Sequence, residues 1–225
     1  MAARFTSLAI TVLAVGLSAA LAAQTRTRHA SLFPPEDLGM LEGPDRDAWQ
    51  RPDLVMDTLG IADGAAVADV GAGGGWFTIR LAKRVGPNGL VYAEDIQRQM
   101  IDSIERRVQR EGLRNVLTML GTPDDPRLPE GRLDAVLIVD TFVEIESHLP
   151  LLTNVRLALK PGGRLGVVDF KLDGLGPGPP LDERVAPSEV IALAERAGLR
   201  LLSQETFLPY HFMLVFGRAD VAPRS

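Results

Sequence analysis

The chain contains no cysteine. That excludes disulfides, thiolate metal sites and a cysteine nucleophile. It also excludes a lipid-modified leader, which needs a cysteine to carry the lipid. A basic cluster is missing too, and the formal net charge is -5. Nucleic acid is therefore not an expected partner, because phosphate contacts need concentrated lysine and arginine. No spacing of His, Asp and Glu resembles a metal site. There is no G-x-S-x-G hydrolase elbow and no internal repeat. What remains is a 225-residue chain with 46% hydrophobic and 24% charged residues. That is enough for one globular domain and a short extension.

The first residues differ from the rest. Arg4 precedes an uncharged run over residues 5–23 that ends in Ala20-Leu21-Ala22, and polar residues follow at once. A positive start, an apolar stretch and an A-x-A site read as a secretory signal over residues 1–22 or 1–23. That places the mature chain in the periplasm or outside the cell. The alternative is an uncleaved inner-membrane anchor, since the run is at the short end of what crosses a bilayer. Membrane contact is expected only through residues 5–23, and only if they stay attached. Residues 24–48 are rich in proline, glycine and charge and read as a linker and N-terminal loop. The folded domain is expected over 49–218, with a tail at 219–225.

Within that domain, strand and helix signals alternate. Strands are predicted at 67–70, 90–93, 115–120, 133–139, 164–170, 199–207 and 211–218. Helices are predicted at 49–59, 77–85, from 100 to near Gly112, and at 149–159 and 187–197. Alternation of this kind indicates an α/β fold with a parallel sheet covered on both faces. The last two strands have only a short turn between them, which forces them antiparallel.

The segment Asp69-Val70-Gly71-Ala72-Gly73-Gly74-Gly75 ends the first strand and opens a helix. Glycines at such a turn permit positive φ and close approach of a ligand to the backbone. In open α/β sheets, ligands bind at the carboxyl ends of the strands. The dinucleotide pattern G-x-G-x-x-G fails here, because its third glycine would fall on Trp76. A nucleotide-sugar or NAD enzyme is the weaker reading for that reason. The second strand ends in Glu94-Asp95, and a carboxylate there suits the hydroxyls of a ribose.

Over roughly residues 45–218 the chain resembles class I S-adenosylmethionine-dependent methyltransferases. The glycine segment 67–75 matches the family's first motif. Residues 91–96 match the second, and Leu159-Lys160-Pro161-Gly162-Gly163-Arg164-Leu165 matches the turn before the fifth strand. The resemblance implies a Rossmann-like, doubly wound seven-stranded sheet of order 3-2-1-4-5-7-6 with strand 7 antiparallel. It implies S-adenosyl-L-methionine as cofactor and a small-molecule methyl acceptor. Gly71, Ala72, Gly73 and Gly75 would line the methionine part, Asp69 would help hold its amino group, and Asp95 and Ile96 would meet the ribose and adenine.

Two departures from the family pattern stand out. Many members carry an acid directly after the third strand's glycine. Here Thr122 follows Gly121, leaving Thr122 and Asp124 as candidates for the adenine side, with Asp125 beside them. Relatives often have a histidine near Val143, which this chain lacks there. Asp140, at the end of the fourth strand, is the candidate general base for the acceptor. An acceptor route through protein cysteines is excluded. Tyr210 and His211 read as packing or rim residues, and His148 as a surface or capping residue. Trp49 and Gln50 read either as part of a lid or as an ordinary amphipathic helix. The leader and the two departures also motivate a second reading, a non-catalytic relative that binds a metabolite or partner in the periplasm.

Overall fold

The protein is described here by a computed structural model covering residues 32–220. The expected leader, residues 24–31 of the linker and residues 221–225 of the tail lie outside the described residues. Among the described residues, no helix is long and apolar enough to cross a membrane.

Seven strands form one sheet: β1 (Ala66–Val70), β2 (Leu90–Asp95), β3 (Val116–Leu120), β4 (Leu133–Val139), β5 (Leu159–Phe170), β6 (Leu199–Glu205) and β7 (His211–Arg218). Their spatial order is β3-β2-β1-β4-β5-β7-β6. The first five are mutually parallel, and β7 runs antiparallel between β5 and β6. The order reverses between β1 and β4, so a crevice opens at their carboxyl ends.

Among the described residues, six α-helices accompany the sheet: α1 (Arg46–Gln50), α2 (Pro52–Thr58), α3 (Trp76–Val85), α4 (Arg98–Arg110), α5 (His148–Ala158) and α6 (Pro187–Arg196). The central strand β4 reads Leu-Asp-Ala-Val-Leu-Ile-Val, and every residue but Asp134 is buried. A near-continuous apolar strand is what burial on both faces requires. Its alternate side chains feed two cores. Val136 and Ile138 pack with Leu152 and Val155 of α5 and Val190 of α6. Ala135 and Leu137 pack with Val55 of α2 and Phe77 and Leu81 of α3. Burying each such leucine or valine stabilises the fold by about 1.5–3 kcal/mol.

Two expectations change. The single helix over 49–59 is two short helices broken at Arg51, whose φ is +45°. Proline at 52 disfavours the helical conformation for the residue before it, and Arg51 turns left-handed instead. The break swings α1 across the strand ends, with Gln50 fully buried. Secondly, Lys160-Pro161-Gly162-Gly163 does not stand outside the fifth strand. Pairing of Leu159 with Leu133 carries the ladder across those residues, at the cost of a register shift before Ala135.

Residues 35–42 form a 3-10 helix (Pro35–Glu42), and Arg46 is buried. Part of the segment that reads as linker and loop thus packs on the sheet's carboxyl edge.

Candidate active site

The glycine turn follows β1 directly. Gly71, Gly73 and Gly75 have φ of +68°, +54° and +79°. A side chain at 71 would be excluded twice over, since its Cβ would lie 2.3 Å from Thr141 Cγ2. The turn is tied to β2: the Ala72 N–H donates to the Glu94 carbonyl at 2.8 Å, and the Gly73 N–H to Asp95 Oδ2 at 3.0 Å. The second Asp95 oxygen accepts from the Gln97 N–H at 2.9 Å. Asp95 therefore pins the turn while facing the cavity.

That cavity, about 210 Å³, lies between the turn, the end of β2 and the end of β4. It is acidic. Asp69, Glu94, Asp95, Asp140, Glu144 and Glu146 line it, against Arg46 alone of the basic residues among those described. Asp69 accepts a 2.6 Å hydrogen bond from the Thr78 hydroxyl. Burial pushes its carboxyl up to about 6, opposed by Thr78 and by the Arg46 charge. Burial, then the neighbouring Asp95 charge, pushes Glu94 up to about 8. Glu144 is raised to about 7, again by burial first.

The N-terminal segment closes the cavity from outside. The Phe33 N–H donates to Glu144 Oε2 at 3.1 Å, and the Phe33 carbonyl accepts from Gln97 Nε2 at 3.0 Å. Its main chain thus bridges the ends of β2 and β4, while Leu32, Phe33 and Leu38 supply apolar wall.

Opposite the turn stands Asp140, with φ of +54°. Its Oδ2 accepts from Gln50 Nε2 at 3.1 Å and lies 3.6 Å from Arg46 Nη2. Its Oδ1 lies 2.9 Å from His211 Nε2. Burial works to raise this carboxyl, but His211, Arg46 and Gln50 together hold it below the usual carboxylate range.

A model for methyltransferase domains matches residues 67–163. A solved S-adenosylmethionine-dependent methyltransferase from Aquifex aeolicus is 30% identical, with a TM-score of 0.78, covering 82% of this chain and 98% of that one. The chain belongs to the class I S-adenosylmethionine-dependent methyltransferases. Two curated relatives are a demethylmenaquinone methyltransferase of Anoxybacillus flavithermus and a ubiquinone/menaquinone biosynthesis C-methyltransferase of Pasteurella multocida. The first is 29% identical over 52% of this chain and 49% of its own length, the second 32% over 57% and 48%. The methyltransferase described here spans about half the length of those curated relatives.

The residues present fit this cofactor. S-adenosylmethionine carries a sulfonium and an ammonium, and the wall offers carboxylates to both. Asp69, Gly71, Ala72 and Gly73 would hold its amino-acid part, and Asp95 and Ile96 its nucleoside; all six line the cavity. When bound, it supplies a methyl group activated on a positive sulfur.

Three expected site residues stand elsewhere. Gly75 caps α3 behind the turn, with Ile104 at its back. Thr122 and Asp124 face each other outside the cavity, the hydroxyl donating to the carboxylate at 2.8 Å, and Pro123 lines the wall instead. A short local hydrogen bond satisfied both side chains where they stood. Sequence reasoning missed Glu94, Gln97, Thr141, Glu144 and Arg46. Of these, Glu94 and Gln97 flank the ribose acid and could have been found from that spacing. Trp49 packs on His211, and Gln50 reaches the site itself. His148 sits with Nε2 2.9 Å from the Phe142 carbonyl, bracing the turn after Asp140.

Proposed function

We propose that the chain transfers a methyl group from S-adenosylmethionine to a small, hydroxyl-bearing aromatic acceptor, with Asp140 taking the acceptor's proton. The observation that carries this reading is Asp140 itself: an ionised carboxylate on the cavity wall, across from the glycine turn. A carboxylate held charged and partly open to the cavity can accept a proton as the methyl bond forms. Asp69, Asp95 and the turn fix the donor side, so the gain in rate comes from position as well as proton transfer. The leucines at 32 and 38, Phe33, Ile145 and Leu151 on the wall favour a ring over a polar metabolite. The names of the quinone-methylating relatives point the same way.

The test is transfer of labelled methyl to a 1,4-dihydroxynaphthalene carrying a short alkyl chain, beside a simple primary amine and a simple carboxylate. Labelling of the dihydroxynaphthalene is expected. Labelling of only the amine or the carboxylate overturns the acceptor class. We also propose that residues 1–23 are removed and the domain is exported. N-terminal mass of the protein recovered from the periplasm checks this, and an intact leader on cytoplasmic protein refutes it.

A further inference from the structure

We infer that His211 is a positioning residue for Asp140, holding the base from beneath the acceptor side of the cavity. This rests on Asp140 acting as the base.

The imidazole sits on β7, fully buried, and pairs across the ladder with Phe170 of β5. Its ring is clamped. Trp49 from α1 stacks on it at 5.5 Å with planes parallel to 1°, and Phe170 lies 4.0 Å away. Contact with both rings hems the imidazole in, and Nε2 stands 2.9 Å from Asp140 Oδ1. The contact is close and polar without being a directed hydrogen bond, and neither ring nitrogen has a hydrogen-bond partner among the described residues.

A purely packing role does not account for this. Burying an imidazole with unmet nitrogens costs stability. Phenylalanine would fill the same space beside Trp49 and Phe170 without that penalty. What only histidine adds is a polar contact to one oxygen of Asp140. Gln50 and Arg46 engage the other oxygen. The carboxylate is thereby gripped on both sides; Oδ1 is buried, and Oδ2, beside Gln50 and Arg46, is the oxygen on the cavity side. In the reaction, the acceptor's X–H bond would break, its electron pair would form the bond from X to the methyl group, and the methyl–sulfur pair would stay on the cofactor's sulfur, leaving it uncharged. The proton goes to Asp140 Oδ2, and nothing is oxidised or reduced. The other charged groups near the pair are Arg46 on α1, Asp169 on β5 and Glu144 in the turn after β4.

The test compares His211→Phe and His211→Gln in the full-length protein, using the dihydroxynaphthalene probe. In His211→Phe, kcat is expected to fall roughly ten- to hundredfold, as for a misplaced catalytic group. KM for S-adenosylmethionine should hold, and the acid limb of the pH profile should move up, because a group that lowers the Asp140 carboxyl is gone. Glutamine can still donate, and should restore part of the rate. An unchanged kcat with an unmoved acid limb overturns the inference. A second measurement needs no acceptor. The Asp140 carboxyl signal, assigned in ¹³C NMR through Asp140→Asn, should titrate at higher pH in His211→Phe. An unmoved midpoint refutes the pairing, even if the probe proves not to be a substrate and the acceptor class falls alone. Melting curves and the glutamine variant separate loss of fold from loss of positioning.

Discussion

The two walls of the cavity are built in opposite ways. The cofactor wall comes from neighbouring stretches of chain, residues 69–78 and 94–97, and backbone N–H groups do much of its work. The opposite wall, the proposed acceptor side, presents Arg46 and Asp140, with Gln50 and His211 buried behind them; the four come from α1, the end of β4 and the start of β7. A backbone-built wall depends on conformation, so it is sensitive to any added side chain. A side-chain-built wall depends on charge and reach, so single atoms can be exchanged without disturbing the other side.

The sharpest break in that comparison is Asp140→Asn. It should lower kcat on a competent acceptor by about 10²–10⁴, the usual range for a lost general base. S-adenosylmethionine affinity, read by calorimetry, should barely change. A parallel loss of affinity would mean that the two walls are not separable.

Next in size is Gly71→Val. A non-glycine residue held at positive φ costs of order 1–3 kcal/mol, and here the added Cβ also meets Thr141. Cofactor affinity should fall about tenfold to a hundredfold, with activity falling in step. Calorimetry with the demethylated product measures it; unaltered affinity would contradict the geometry of the turn.

The buried acids predict a pH effect on the fold that spans both walls. Burial pushes Asp69 to about 6, Glu144 to about 7, and Glu94 and Asp169 to about 8. The folded chain therefore keeps protons that the unfolded chain releases in the ordinary carboxyl range. More protons on the folded state means that stability declines as pH rises. Melting temperatures of the ligand-free protein should be highest near pH 4 and fall until about pH 8, flattening beyond. Asp169→Asn should make that slope shallower. A flat profile in the parent protein would show that these groups are not buried as described.

The smallest effect belongs to the strap over the cavity. Gln97→Ala removes one hydrogen bond to the Phe33 carbonyl, a loss of about 0.5–1.5 kcal/mol. Cofactor dissociation, followed by stopped flow, should speed up severalfold while kcat/KM for the acceptor stays close to the parent value. A slower release would show that the bridge does not hold the strap closed.

Legibility in the sequence followed the same division. The glycine turn and Asp95 could be read because a local conformational need leaves a local signature: glycine where φ is positive, an acid where the next strand stops. The sheet order followed from the resemblance, and the antiparallel end from the missing helix before β7. Thr122 and Asp124 went astray because a two-residue spacing also suits a self-contained turn. His211 could not be read as a site residue at all. The resemblance sets β7 beside β5, but nothing near His211 in the chain indicates that its imidazole reaches the carboxylate at the end of β4.

By itself, the sequence determined the fold class, the cofactor and the glycine turn and strand-end acid that line one side of the cavity, because periodicity, glycine placement and a strand-end acid act over a few residues. Only the tertiary structure decided how Asp140 is held. Its partners lie 94 and 90 residues before it and 71 after it, as Arg46, Gln50 and His211, and only the folded sheet with α1 swung across its edge brings their polar groups within reach of one carboxylate.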